Sequence, residues 1–205
     1  SKILSQRDLE FLLYEWLDAE SLTARPRYCD HSRETFDAAI KTSRQIATDL
    51  FATHNKKSDA SEPFITASGR VQLIPEIKRA VDAFSAAGLI AAGQDFELGG
   101  MQLPCVIEKA CMAWFMGANV ATAAYPFLTT GSANLLLAHG SKQQINTFVR
   151  PLLTGRFLGT MCLSEPQAGS SLADINTRAE ADGSTGDIYR LTGNKMWISC
   201  GEHEL

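Results

Sequence analysis

Along the first 155 positions apolar residues recur at helical spacing and divide the chain into amphipathic segments. Ser5 is placed to cap a helix with Leu9, Leu12, Leu13, Trp16 and Leu17 on one face and Arg7, Asp8, Glu10 and Glu15 on the other. Arg25-Pro26-Arg27 breaks the chain, and Phe36, Ile40, Ala47, Leu50 and Phe51 mark a second helix from about Ser32 to His54. The polar stretch from Asn55 to Gly69, with Pro63 in it, reads as a loop. Pro75 suits a first helical position, and the helix it opens presents Ile77, Val81 and Phe84 before stopping at Gly88. From Pro104 to Ala118 the sequence is apolar nearly all round, which predicts a helix in the middle of a bundle. Tyr125-Pro126 is expected to interrupt, with another helix running to Ala138 and ending at His139-Gly140. Ser141 and Gln144 have capping-box spacing for a last helix carrying Ile145, Phe148 and Val149, with Pro151 near its end.

After Gly155 the period changes. Phe157 to Ser164, Ile175 to Ala181, Ile188 to Leu191 and Lys195 to Cys200 read as strands, the last two joined across Thr192-Gly193-Asn194. Helices followed by strands, without interleaving, is an α+β order with segregated parts. The expected architecture is an all-α bundle over residues 1–155, with 1–30 as an extension helix. The first strands of an antiparallel β-barrel or sheet domain follow over 156–205. Because the chain stops directly after a strand, at Gly201 to Leu205, a fragment of something longer is expected.

Composition narrows the function classes. Of 205 residues 45% are apolar and 20% charged, ordinary for a globular protein, and a net charge of −4 offers no basic field for nucleic acid or anionic lipid. No run approaches the ~18 apolar residues of a membrane span, and the N-terminus lacks a signal-peptide pattern, so a cytoplasmic location is expected. Five scattered cysteines, with no CxxC and no metal spacing to the four histidines, read as small buried thiols. Gly99-Gly100 follows no strand and opens on no Gly-Lys-Ser/Thr, which argues against a phosphate loop; His203 and Glu204 form no HExxH.

The candidate chemistry lies in Met161 to Ser171, MCLSEPQAGSS, and in Lys195 to Ser199, KMWIS. Proline stops a ladder, Gly169 permits close backbone approach, and Ser164, Ser170 and Ser199 supply hydroxyls. With Trp197 two residues from Ser199, the pattern suggests a cradle for a flat ligand with polar edges. The same residues also read as strand hydroxyls and a core indole. Glu165, just before Pro166, is expected to order the turn or a strand end and not to act as a base.

A helical segment, then MCLSEPQAGSSLADINTRAE, then YRLTGNKMWIS, in that order, resembles the acyl-CoA dehydrogenase family. The N-terminal extension and the ending ISCGEHEL are similar to its subgroup of longer enzymes, which includes 3-methylmercaptopropionyl-CoA dehydrogenase. The resemblance implies FAD held between the helical and β-domains and α,β-dehydrogenation of an acyl-CoA thioester. In that reaction a carboxylate takes the α-proton, the β-hydride goes to flavin N5, and an electron-transferring flavoprotein or similar acceptor reoxidises the flavin. It implies that Met161, Leu163 and Ser164 line the flavin ring, that Trp197 covers it, and that Ser199 bonds near N5 or O4. Gly169 and Ser170 would lie by the pyrophosphate, Ser170 also by CoA, and Thr130 on the helix that floors the acyl pocket. Ser164 and Ser199 replace the family's usual threonines, Gln167 a frequent glycine and Ser171 a frequent aspartate. The family's catalytic glutamate sits on a C-terminal helical domain. No catalytic residue is therefore expected within these residues, which are expected to bind FAD weakly and to turn over no substrate. At full length a homo-oligomer is implied. An acyl-CoA oxidase and a non-catalytic module with a degenerate flavin site remain as alternatives.

Overall fold

The computed structural model describes residues 2–183 and 188–205. Its body is helical. Ser5 caps α1 (Gln6–Glu10) by accepting from Asp8 N–H, and a π turn over Phe11–Trp16 follows. α2 (Arg33–Ile46) starts in a capping box between Ser32 and Thr35 and continues through a π turn, Ala47–Phe51, and a 3-10 turn, Ala52–His54. α3 (Asn55–Ala60) precedes a minimal hairpin of β1 (Phe64–Ile65) and β2 (Val71–Gln72). Next come α4 (Pro75–Ala86), α5 (Cys105–Ala118) and α6 (Val120–His139). The helical part ends in an irregular helix made of α7 (Lys142–Gln144), a π turn and α8 (Arg150–Leu153). Among the described residues no helix is long and apolar enough to cross a membrane.

As its composition predicts, α5 lies in the centre: Ile107, Ala110, Cys111, Trp114, Phe115 and Ala118 are buried. Phe115 meets Phe51 and Phe84 edge-on, with centroids 4.9 and 4.7 Å apart, so one ring joins three helical segments. Val149, Leu152 and Leu153 close the same core, while Leu13, Phe36 and Leu103 meet α5 in a second cluster.

Five expectations need correction. The chain does not break at Tyr125-Pro126: α6 runs straight through Pro126, and the break falls at Asn119. Asn119 is buried, its side chain accepts from Thr122 N–H at 3.1 Å, and its amide donates to the Phe51 carbonyl at 3.4 Å. His54, also buried, reaches the Thr122 hydroxyl at 2.8 Å, so two side chains and the end of α2 fix the start of α6. Residues 55–69 are not all loop, since they hold α3 and β1.

The apolar face of the first helix is largely open, with Trp16 68% and Leu17 51% exposed and only Leu13 buried. The π turn is the reason: its i→i+5 bonds widen the repeat and dissolve a face drawn at 3.6 residues per turn. Nor are the cysteines uniformly buried: Cys29, Cys105 and Cys162 are exposed, Cys111 is buried and Cys200 is intermediate. Burial pushes the Cys111 thiol up to about 11.

Two of the four expected strands form ladders. β3 (Arg178–Ala181) pairs antiparallel with β4 (Tyr189–Thr192), Arg178 opposite Thr192 and Ala181 opposite Tyr189. Residues 157–164 and 195–200 form no ladder. Positive φ at Trp197 (59°) and Cys200 (55°) stops the second of them, because a left-handed residue turns the chain out of the pleat.

Asn119→Ala removes a cap and a buried bond together and is expected to cost about 1–3 kcal/mol. Urea unfolding checks this: the midpoint falls while the slope stays unchanged.

Candidate functional site

The two motif segments are brought together from positions about thirty residues apart. The first docks on α6: Gly159 N–H donates to the Thr129 hydroxyl at 3.1 Å, and the Ser132 hydroxyl donates to the Thr160 carbonyl at 3.1 Å. Met161 comes next, half-buried, with its sulfur 3.8 Å from the Ser132 hydroxyl. The second segment runs alongside in the opposite direction. Met196 N–H donates to the Ser164 carbonyl at 3.0 Å, and the Thr160 hydroxyl donates to the Ser199 carbonyl. Beyond Ser199 the chain returns to the helices, where His203 meets Tyr125 edge-on at 5.1 Å and Glu204 accepts from Leu73 N–H at 3.2 Å.

Glu165 ties the segments. Glu165 and Ala168 exchange both backbone bonds, at 2.8 and 3.0 Å, around a tight turn with Pro166 at its second position. The turn aims the Glu165 side chain inward, where it is buried. One carboxylate oxygen accepts from Lys195 Nζ at 2.8 Å and Thr177 N–H at 3.0 Å. The other accepts from Asn176 N–H at 2.7 Å and the Gln167 amide at 2.8 Å. Lys195 Nζ also donates to the Leu163 carbonyl at 3.0 Å.

The Lys195 ammonium first, and then the convergent N–H donors, hold the Glu165 carboxyl well below the usual carboxylate range. A carboxylate so saturated is a poor general base, so its work is structural. Gly193 allows this arrangement. A Cβ there would lie 2.1 Å from the Thr177 hydroxyl oxygen and 2.8 Å from its Cα, displacing the very residue whose N–H reaches Glu165.

Ser164 is half-buried and Leu163 is exposed beside it. Ser199 is exposed, and Trp197 is 84% exposed, its indole in no ring contact among the described residues. Its positive φ is strained for a bulky side chain, a cost of order 1–3 kcal/mol. Gly169 and Ser170 are exposed on the turn after Ala168, and nothing lies within 4 Å of a Cβ built at Gly169. Among the described residues the hydroxyls of Ser164, Ser170 and Ser199 have no hydrogen-bond partner.

Thr130 stands apart on α6, half-buried, its hydroxyl directed at the Pro126 carbonyl (3.0 Å) and the Ile90 carbonyl (3.2 Å). The structure thus gathers Met161, Leu163, Ser164, Trp197 and Ser199 on one pair of segments, with Gly169 and Ser170 on the adjoining turn. Lys195, Asn176 and Thr177 are the partners that sequence reasoning did not single out. Two of them act through backbone N–H groups, which no residue pattern marks.

The Glu165 network makes stability depend on pH. With the folded-state value below the unfolded one, the carboxylate's contribution is fully present above about pH 5 and shrinks as pH falls below ~4, toward the folded value. Wild type is therefore expected to exceed Glu165→Gln in stability by a constant margin near neutrality. That margin narrows as the pH is lowered from 5 to 2.5, and urea titrations at stepped pH measure it.

No family model matches the chain. In sequence it is 32% identical over 204 residues to 3-methylmercaptopropionyl-CoA dehydrogenase of Ruegeria pomeroyi, a match covering 97% of this chain and 33% of that enzyme. It is 27% identical over 208 residues to a butyryl-CoA dehydrogenase of Syntrophomonas wolfei, covering 99% and 33%. In fold it is similar to an acyl-CoA dehydrogenase of Bacillus anthracis complexed with FAD. That comparison has a TM-score of 0.66 at 22% identity, over 82% of this chain and 27% of the other. The chain spans about a third of the length of the curated relatives it matches. Along nearly its whole sequence the chain is similar to acyl-CoA dehydrogenases, and its fold matches their N-terminal helical domain and the opening of the β-domain that follows.

Proposed function

We propose that the chain is part of an FAD-dependent acyl-CoA dehydrogenase that introduces an α,β double bond into an acyl-CoA thioester. The observation that carries this reading is the juxtaposition of unpartnered hydroxyls with exposed apolar side chains on paired segments, in a chain homologous to enzymes of that name. In this reading the helical part ends near Gly155, which takes φ +74° beside Ser85; a Cβ there would sit 2.3 Å from the Ser85 hydroxyl.

These residues fit a flavin by their chemistry. Ser164 and Ser199 bring hydroxyls free to bond the ring's polar edge, and each such edge atom buried unpaired costs ~1–3 kcal/mol. Leu163, Met161 and the Trp197 indole supply apolar surface against the ring and keep water from it. Gly169, open above its backbone, and Ser170 face the pyrophosphate, and Ser170 also reaches the CoA part of the substrate. Thr130, its hydroxyl engaged within the helical body, contributes its methyl and its small volume to the acyl pocket. FAD supplies the hydride acceptor when bound. The residue that takes the α-proton is a carboxylate from a part of the enzyme with no counterpart here. An electron-transferring flavoprotein reoxidises the cofactor, and the full-length enzyme is a homo-oligomer.

The test uses the full-length protein and the 205-residue chain side by side. The full-length protein is expected to keep a flavin absorbance band through gel filtration and to reduce an artificial dye when given acyl-CoA, without releasing peroxide. The 205-residue chain is expected to turn over no acyl-CoA. Ser164→Ala and Ser199→Ala should each weaken FAD binding by about tenfold, as the loss of one hydrogen bond implies. Absence of both flavin and acyl-CoA-dependent dye reduction in the full-length protein would sink the assignment, and stoichiometric peroxide would convert it to an oxidase.

A further inference from the structure

We propose that Glu165 and Lys195 act as a positioning clamp whose purpose is to present the Trp197 indole outward from a strained backbone. The inference rests on the flavoenzyme reading, and it adds residues that touch no ligand. Trp197 combines two features that do not belong together in a merely structural residue. It occupies φ +59°, where glycine would sit without strain, and its large side chain is 84% exposed with no ring partner among the described residues. The fold therefore sustains an unfavourable backbone geometry for an indole that gives the described chain no packing in return. Strain of this kind persists only where the surroundings over-determine it.

The determinants are on both sides of the residue. Before it, Met196 N–H is bound to the Ser164 carbonyl, and Lys195 is held by the Leu163 carbonyl and the buried Glu165 carboxylate. After it, the Ser199 carbonyl is held by the Thr160 hydroxyl, and Thr160 is in turn anchored to α6 through Ser132. Glu165 is itself fixed by Asn176 and Thr177 N–H groups at the foot of the β3–β4 ribbon. One carboxylate thus links the turn bearing Gly169 and Ser170, the ribbon, and the segment bearing Trp197. The clamp fixes three groups of the cradle relative to one another, and Glu165 and Lys195 act as positioning residues.

The experiment compares full-length wild type with Glu165→Gln, Lys195→Met, the double variant, Lys195→Arg and, on the other side of Trp197, Thr160→Val. Flavin affinity and the quenching of flavin fluorescence are read in each, since an indole lying against the ring quenches it and a purely structural loss elsewhere leaves that quenching intact in the bound fraction. Glu165→Gln and Lys195→Met are each expected to raise the FAD Kd at least tenfold and to relieve quenching. The double variant should be no worse than either single one, and Lys195→Arg should stay within threefold of wild type. Thr160→Val, a milder change, should relieve quenching while the protein remains folded.

Wild-type affinity and quenching in both single variants, multiplicative effects in the double, or an arginine variant as impaired as the methionine one would overturn the clamp. A second readout needs no flavin: amide hydrogen exchange at Met196 in the 205-residue chain. It should quicken at least tenfold in Glu165→Gln and Lys195→Met, and unchanged exchange there overturns the clamp. If wild type binds no FAD while exchange responds as expected, the flavoenzyme reading fails and the clamp stands.

Discussion

A single buried carboxylate holds the second part of this molecule in shape. Four donors converge on Glu165 from three directions: the following turn, the two residues that precede β3 and the Lys195 segment. Burying an ionised carboxylate is unfavourable without full compensation, and here both oxygens are doubly occupied, one of them facing an ammonium. Removing any one donor leaves charge unmatched in a buried place, so the parts stand or shift together. That coupling is what a two-stranded ribbon with every residue exposed does not have by its own pairing.

The helical body supplies the frame against which this network is set. α5 fills the centre, and Phe115 joins Phe51 and Phe84 around it. α6 then serves two purposes. Its start is fixed by Asn119 and by the His54–Thr122 bond, and its middle offers Thr129 and Ser132 to the incoming extended segment. A hydroxyl-rich stripe on a rigid helix thereby sets the position of Thr160 and Met161, and through Thr160 that of Ser199. The helical body thus sets where the two motif segments lie.

Much of the fold was legible because local rules carried it. The caps at Ser5 and Ser141, the proline start at Pro75 and the all-round apolarity of α5 express short-range hydrogen bonding and burial, and each leaves a mark within a few residues. Tyr125-Pro126 misled because a proline's local preference was overruled by packing: Tyr125 and Pro126 are both buried and the helix is held on either side of them. The first helix misled for the opposite reason, a π turn shifting the face that a regular period would have buried.

Of the site, the residue types were readable, and so was the expectation that Glu165 orders its turn. The sequence by itself determined the α+β order, the helical core, and two short motifs bearing hydroxyls, a glycine and an indole. Only the tertiary structure decided that Lys195 answers Glu165 across thirty residues, that backbone N–H groups of Asn176 and Thr177 complete the site, and that Trp197 turns outward at positive φ. The physical reason is common to all three. Caps and periods are interactions between near neighbours, which sequence spacing encodes. A buried charge instead selects its donors by where folding brings them, and backbone donors look the same at every position but proline.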